Sequence, residues 1–148
     1  IIAKGISSAR LTGRLEQVNE QPLILLDVAH NPHAAATLGQ GLDKMGYHPY
    51  TYAIFGAMAD KDIEGVLQPM LDIVDYWYCT DLPIARAARA SDLAKQIRLL
   101  GKEAEVFSGA GSAYQMALDK AGEGDRIVVF GSFYTVAGVM AYRNNQAH

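Results

Sequence analysis

The chain has 148 residues, of which 50% are hydrophobic and 20% are charged. This composition can fill the core of one domain, and it excludes a disordered chain, a collagen-like fibre and a coiled coil. The formal net charge of −3 argues against a nucleic-acid-binding surface, which requires a clustered basic face.

The first residues show no clear periodicity. Residues 1–12 contain Gly5, Ser7 and Ser8 and no initiator Met, so we expect a linker that enters this domain from a longer chain. We expect the domain itself to occupy residues 13–148. Gly13–Val18 alternates apolar and polar residues, which predicts a short, half-exposed first strand, and Gln21-Pro22 predicts a turn.

Five apolar segments with β-forming residues follow, and their centres lie about 23 to 28 residues apart, the spacing of successive βα units. They are Leu23–Val28, Tyr50–Phe55, Asp75–Cys79, Glu103–Phe107 and Arg126–Phe130. The gaps between them carry the periodicity of amphipathic helices, and a further stripe ends the chain. These stripes begin at Ala35, Ile63, Leu93, Ala110 and Val136, with Ser91 as the expected N-cap of the third.

Strands that are buried on both faces and joined by crossover helices form a mostly parallel sheet. The sequence therefore predicts a Rossmann-like, doubly wound α/β fold of about six strands, the first of them antiparallel, flanked by about five helices. Such sheets bind ligands beyond the carboxyl ends of their strands, at a topological switch point. The segments that follow the strands are therefore the candidates for chemistry.

The segment Asp27–His33 is the most informative of these. Asn31 fits an N-cap and Pro32 fits the first helical turn, so structural roles explain both residues. Asp27 and His30 fall beside a helix N-terminus, where an anionic ligand is favoured. A carboxylate there can accept the hydroxyls of a ribose, and His30 can donate to a phosphate or carboxylate or transfer a proton. The acid and the two histidines of this segment are three residues apart, but no further ligand completes a metal site, so we predict none.

Two further segments follow predicted strands. In Gly56–Asp62, Asp60 is expected to cap the next helix, and Lys61 is either a solvated charge or a point-charge partner for a substrate carboxylate. After the last strand, Gly131 permits a tight turn. Ser132 either caps the final helix or presents its hydroxyl and backbone N–H to an anion.

Several other patterns in the sequence say less about function. The Gly109–Ser112 turn lacks the third glycine of a dinucleotide-binding fingerprint, so it is interpreted as the start of a helix, and the sequence contains no Walker P-loop. Arg86 and Arg89 are expected to be solvated. Cys79 is the single cysteine and is expected to be a core thiol, which favours a reducing, cytoplasmic setting. No apolar run approaches the roughly 20 residues that a membrane span needs.

The Asp27–His33 segment resembles the C-terminal domain of the Mur ligase superfamily, and most closely its bacterial bifunctional dihydrofolate synthase/folylpolyglutamate synthase family. Further features follow in the order that this family shows, and the resemblance covers nearly the whole chain. They are Gly13-Arg14 before the motif, Met58–Asp62 and Asp75–Cys79 after it, and Gly131–Ala137 at the end.

This resemblance implies one half of an ATP-dependent ligase that adds L-glutamate to dihydropteroate, tetrahydrofolate or both through an acyl phosphate. It implies that a P-loop ATPase domain, which holds most of the Mg²⁺ ligands, precedes residues 1–12 in the same monomeric polypeptide, and that this chain is inactive alone. It implies that Arg14 is a catalytic residue that contacts the γ-phosphate of ATP and that Asp27 binds the nucleotide. It implies that His30, Lys61 and Ser132 bind the incoming glutamate and that His30 is a second catalytic residue.

Two alternatives remain open. One is the C-terminal domain of a ligase for peptidoglycan precursors, against which Asp60–Asp62 and Gly131–Phe133 favour the folate enzymes by resemblance. The other is a non-catalytic, doubly wound binding module. A receiver domain would carry a lysine where this last strand ends, and a flavin domain would carry a phosphate loop at the Asp27–His30 turn. A P-loop motif encoded upstream would favour the ligase.

Overall fold

The computed structural model describes residues 15–146. The predicted linker, together with Gly13 and Arg14, lies outside the described residues. Six strands and five α-helices alternate along the described chain. In order they are β1 Glu16–Glu20, β2 Leu23–Leu26, α1 Pro32–Asp43, β3 Thr51–Phe55, α2 Ile63–Leu67, β4 Tyr76–Thr80, α3 Ala90–Leu99, β5 Glu103–Phe107, α4 Ala110–Lys120, β6 Arg126–Phe130 and α5 Phe133–Gln146. A 3₁₀ turn, Gln68–Met70, follows α2 directly.

The strands form one sheet in the order β1-β2-β6-β3-β4-β5. β1 pairs antiparallel with β2, whereas the other pairs are parallel, so the predicted fold class is confirmed. The first strand begins and ends later than Gly13–Val18. β2 ends at Leu26, short of the predicted Val28, because the Asp27 side chain turns back onto the following loop.

Alternating strand residues face opposite sides of the sheet, so two apolar cores form. One core contains Leu25, Phe55, Trp77 and Val128 beneath α1, α2 and α3. The other contains strand residues such as Ile54 beneath α4 and α5. Both faces of the central strands are therefore buried, as the apolar runs predicted. The single thiol, that of Cys79, is confirmed as a core group, and burial raises its pKa to about 12.

A buried arginine holds the amino edge of the sheet. Arg126 donates through Nε to Thr51 Oγ1 at 2.8 Å and through Nη1 to the carbonyl oxygen of Leu42 at 2.8 Å. Burial lowers the pKa of Arg126, and Asp43 and Asp75 oppose that shift. This one side chain therefore joins β6 to β3 and to the last turn of α1.

Replacing Arg126 with Met should lower the free energy of unfolding of this chain by about 2 to 3 kcal/mol. Met preserves most of the aliphatic packing but removes two buried hydrogen bonds, to the Thr51 hydroxyl and to the Leu42 carbonyl, at about 1 to 1.5 kcal/mol per bond. Urea unfolding measures the loss. The exposed Arg89→Met is the control and should stay within about 0.5 kcal/mol of the unsubstituted chain. An equal, small effect of both substitutions would contradict this role of Arg126.

Candidate functional site

The candidate site lies where the chain leaves neighbouring strands for opposite faces of the sheet. β2 and β6 are adjacent, but β2 leads to α1 on one face and β6 leads to α5 on the other. This arrangement opens a crevice at the carboxyl ends of the two strands, where doubly wound sheets bind ligands. Three segments meet there: residues 27–31, 56–62 and 131–132, called here the β2, β3 and β6 loops.

Gly131 lies at the point where these loops meet. Its N–H donates to the carbonyl oxygen of Ala29 at 2.9 Å, and its φ is +115°. A Cβ at this position would lie 2.2 Å from the carbonyl oxygen of Gly56. Only glycine tolerates both this backbone conformation and this close approach. The contact fixes the relative positions of the three loops that carry the candidate side chains.

Asp27 is 3% exposed and organises the β2 loop. Its Oδ1 accepts from the N–H of Ala29 at 2.8 Å, and its Oδ2 accepts from the N–H of Leu15 at 3.1 Å. Leu15, with φ of +45°, occupies the left-handed region, which costs a non-glycine residue about 1 to 2 kcal/mol. The Asp27 carboxylate thus anchors the residue that directly follows Arg14. Its contact with a nucleotide stays a prediction.

His30 is exposed at the rim of the crevice, beside the N-terminus of α1. Its Nδ1 lies 3.1 Å from the carbonyl oxygen of Val28. Since a carbonyl oxygen only accepts, Nδ1 carries the hydrogen in this bond, and Nε2 of the neutral ring remains an acceptor. The structure therefore presents His30 as a group that can take a proton from a ligand.

The helix caps near the site agree with the sequence analysis only in part. Asn31 accepts from the N–H of Ala34 at 2.8 Å, with Pro32 at the start of α1, so both structural predictions are confirmed. The predicted cap of α2 by Asp60 is wrong. Asp62 caps that helix through the N–H of Gly65 at 3.0 Å.

The predicted cap of α3 by Ser91 is also wrong. The helix begins at Ala90, whose N–H donates to Oδ1 of Asp81 at 2.7 Å. Asp81 follows β4 directly, so the cap comes from the far end of the loop rather than from the residues beside the helix. The Gly109 turn does begin α4, as predicted.

Lys61 is exposed on the β3 loop, and a neighbouring loop supports that segment. Met58 and Ala87 form an antiparallel bridge, and the N–H of Ala59 donates to the carbonyl oxygen of Arg86 at 2.8 Å. The loop after β4 therefore packs along the segment that leads to Lys61. This contact also places the backbone of Arg86, which the sequence analysis treated as solvated, beside the site.

Ser132 takes the structural role that the sequence analysis left open, because it caps α5. Its Oγ accepts from the N–H of Thr135 at 3.1 Å and lies 2.9 Å from Oγ1 of Thr135. Thr135 Oγ1 in turn donates to the carbonyl oxygen of Gly56 at 2.9 Å. Ser132 and Thr135 are 3% and 0% exposed. Thr135 was not predicted as part of the site, and its only signal in the sequence is its position three residues after a cap.

The three loops that meet at Gly131 thus carry an exposed histidine, an exposed lysine and a buried pair of hydroxyls. This set can bind a small zwitterionic ligand, since it offers acceptors for an amine and a cation for a carboxylate. Within residues 15–146, no group of three His, Cys, Asp or Glu side chains is placed to hold a metal ion. Nor is any helix in that range long and apolar enough to cross a bilayer.

Comparison with known proteins agrees with this geometry. Residues 13–133 match the family model described as Mur ligase, glutamate ligase domain. The dihydrofolate synthase/folylpolyglutamate synthase of Escherichia coli is 38% identical over 139 residues, which are 94% of this chain and 32% of that protein. The enzyme of that name from Buchnera aphidicola (Schizaphis graminum) is 35% identical over 98% of this chain and 34% of its own length.

Solved structures show the same fold. E. coli FolC in complex with DHPP and ADP superposes with a TM-score of 0.89 at 36% identity, over 97% of this chain and 34% of that one. The Yersinia pestis bifunctional synthase complexed with AMPPNP and Mn superposes with a TM-score of 0.81 at 42% identity, over 89% of this chain and 31% of that one. This chain therefore spans about a third of the length of these relatives. It belongs to the Mur ligase family, as a glutamate ligase domain.

Proposed function

We propose that this chain is the glutamate-binding, C-terminal domain of an ATP-dependent ligase that adds L-glutamate to dihydropteroate, tetrahydrofolate or both. The observation that carries the proposal is the contact of three loops at Gly131, since these loops carry His30, Lys61 and Ser132. The relatives with this fold bear the name of that enzyme, and one solved synthase contains Mn, AMPPNP and L-glutamate.

We propose further that residues 1–12 are a linker from a P-loop ATPase domain of the same polypeptide and that residues 13–148 form the present domain. The relatives are about three times as long as this chain, which leaves room for such a domain. Phe133 and Tyr134, beside Ser132, are 65% and 41% exposed, and an apolar surface of this kind is typical of an interaction site. We expect a monomeric, cytoplasmic enzyme.

The reaction has two steps. A terminal carboxylate of the pterin or folate substrate attacks the γ-phosphorus of ATP, which gives an acyl phosphate and ADP. The amine nitrogen of L-glutamate then attacks the carbonyl carbon, the C–O bond to phosphate breaks, and the amine loses a proton as the amide forms. Closure of the two domains would exclude water from the acyl phosphate, which hydrolysis would otherwise destroy.

This chain's residues can meet the demands of both steps. Arg14 would place positive charge on the phosphoryl group in transfer, and Asp27 would lie on the nucleotide side of the crevice. His30 Nε2 would accept the proton that leaves the amine, and Lys61 would pair with a glutamate carboxylate. Bound Mg²⁺ would neutralise phosphate charge. We assign most of its ligands to the preceding domain, since the described residues contain no ligand cluster.

The test is phosphate release by the full-length polypeptide with ATP, L-glutamate and one of three acceptors: dihydropteroate, tetrahydrofolate or a muramyl peptide. We expect release with a pterin acceptor that requires L-glutamate. Release with the muramyl peptide alone would favour a peptidoglycan-precursor ligase. Release with none of the three would favour a non-catalytic module.

His30→Ala should lower kcat in this assay about a hundredfold, which is a typical contribution of a general base. His33→Ala is the matched control, because His33 is also exposed and lies one turn along the same segment. It should stay within about twofold of the unsubstituted enzyme, since it has no place in the proposed transfer. Equal effects of the two substitutions would contradict the role of His30.

A further inference from the structure

We propose that Leu15 is a positioning residue, which fixes the point where the preceding segment enters this domain and so places Arg14 for phosphoryl transfer. Gly41, on α1, acts through Leu15, because it leaves the groove into which the leucine side chain packs. This inference rests on the proposed function and deepens it, since the sequence analysis gave neither Leu15 nor Gly41 a role at the site.

Leu15 has a strained backbone conformation. Within residues 15–146, its φ of +45° is the only positive value at a residue other than glycine. The left-handed region brings the Cβ of an L-residue too close to the following carbonyl oxygen, so a leucine stays there only where its surroundings hold it. Leu15 directly precedes β1, so the strain lies where the chain enters the sheet. Strain of this kind is concentrated at functional sites.

Two contacts hold Leu15 in this conformation. The first is a hydrogen bond, in which its N–H donates to Oδ2 of the buried Asp27 at 3.1 Å. The second is packing, because the partly buried leucine side chain lies against the core beneath α1. A Cβ at Gly41 would lie 2.5 Å from Leu15 Cδ1. The β2 loop therefore fixes the backbone of Leu15, and α1 fixes its side chain.

The contact with Leu15 explains a glycine that helix formation does not favour. Gly41 lies within α1, where glycine is less favourable than alanine. Beyond the helix backbone and the two neighbours of Gly41, the described chain has only Leu15 within 4 Å of a Cβ at this position. A methyl group here would thus occupy the space of the Leu15 side chain and disturb little else.

An anchor at Leu15 has a consequence for the reaction. Arg14 is bonded to Leu15, and consecutive Cα atoms are about 3.8 Å apart, so fixing Leu15 limits the positions that the arginine can reach. A catalytic group that is misplaced by about 1 Å can lose about a hundredfold in rate. The anchor therefore serves phosphoryl transfer, whereas the loops that carry His30 and Lys61 serve the amino acid.

The anchor can be disturbed from either side. Gly41→Ala displaces the Leu15 side chain but favours the helix, so overall stability should not fall. Leu15→Ala empties the groove instead. Gln40→Ala is the matched control, because Gln40 is the exposed neighbour of Gly41 in the same helix. The double variant, Gly41→Ala with Leu15→Ala, tests whether the two residues act through one contact, since effects through one contact do not add.

The experiment uses two measurements on the full-length polypeptide. Trypsin cleaves after arginine, so cleavage of the Arg14–Leu15 bond, followed by mass spectrometry, measures local release of Leu15. Gly41→Ala and Leu15→Ala should raise this cleavage rate about tenfold and leave cleavage after Lys120 within about twofold. In the phosphate-release assay, both should lower kcat about tenfold or more, with KM for L-glutamate within about twofold. Gln40→Ala should match the unsubstituted enzyme in both measurements.

Four outcomes would overturn the inference. Unchanged cleavage in a folded Gly41→Ala would show that α1 does not hold Leu15. Faster cleavage with an unchanged kcat would show that the anchor has no part in the reaction. Equally faster cleavage after Lys120 would indicate general loosening, and kcat losses that multiply in the double variant would indicate separate contacts.

The design also separates failure of the anchor from failure of the proposed function. If Gly41→Ala does not fold, Leu15→Ala carries the comparison. Unsubstituted enzyme without glutamate-dependent turnover would contradict the proposed function, whereas the cleavage rates would still show whether Gly41 holds Leu15.

Discussion

Gly131→Ala should destabilise this chain by about 3 kcal/mol or more and abolish glutamate-dependent turnover of the full-length enzyme. The new Cβ would lie 2.2 Å from the Gly56 carbonyl oxygen and 2.9 Å from ring atoms of Phe55. It would also sit on a backbone with φ of +115°. Backbone strain of this kind costs about 1 to 3 kcal/mol, and overpacking adds a similar amount. Relief would require the β3 and β6 loops to separate, which would break the contact between the loops that carry Lys61 and Ser132.

Gly101→Ala is the matched control for this substitution. Gly101 has a φ of +89°, but a Cβ there meets nothing within 4 Å, so this variant measures the backbone cost without a clash. Urea unfolding of both variants gives the two free energies, and phosphate release gives the activity. We expect Gly101→Ala to lose about 1 kcal/mol and to keep its turnover. Equal losses in the two variants would contradict the tight contact of the loops.

Arg14→Ala should lower turnover of the full-length polypeptide about a thousandfold, while the free energy of unfolding of the domain stays nearly unchanged. A guanidinium that stabilises a phosphoryl group in transfer typically accelerates the reaction by about 10³ or more. The observation that motivates this prediction is the bond from Leu15, the residue that follows Arg14 in the sequence, to the buried Asp27 carboxylate at 3.1 Å. The expected loss is therefore in kcat.

Single-turnover phosphate release by the full-length enzyme measures this effect. Arg10→Ala, a change of the same residue type in the predicted linker, serves as the control and should leave kcat within about twofold. Wild-type-like turnover of Arg14→Ala would reject the role of this arginine in phosphoryl transfer. A large loss of kcat in both variants would assign the effect to the segment as a whole.

The fold class could be predicted because buried strands and amphipathic helices have characteristic local patterns of apolar residues in the sequence. The runs Tyr50–Phe55 and Arg126–Phe130 become central strands, β3 and β6, within one residue of the predicted bounds. The strands that pair with these two in the sheet could not be predicted. β6 lies between β2 and β3, although it is the last strand in the chain, because strand pairing depends on contacts between distant residues.

The errors in the sequence analysis have a related cause. Ser91 is a good cap by composition, but Asp81 reaches the first amide of α3 from the end of β4. Asp60 gave way to Asp62, two residues nearer to its helix. In each case several acceptors compete for one amide, and the loop geometry, which a single sequence does not record, selects among them.

The candidate site, too, could be predicted from the sequence only in part. The loops that carry His30, Lys61 and Ser132 follow from the rule that ligands bind at the carboxyl ends of the strands and from the family resemblance. The buried pair of Ser132 and Thr135 does not, because it is held by a bond from Thr135 to the Gly56 carbonyl, 79 positions away in the chain. A buried hydroxyl that joins distant loops leaves no periodic signal.

The most direct test is a crystal structure of the full-length polypeptide with a non-hydrolysable ATP analogue and L-glutamate. The amino acid should lie between the β2, β3 and β6 loops, with its carboxylates toward Lys61. L-glutamate held wholly by the preceding domain, with these three loops facing solvent, would contradict the assignment of this chain as the glutamate-binding domain.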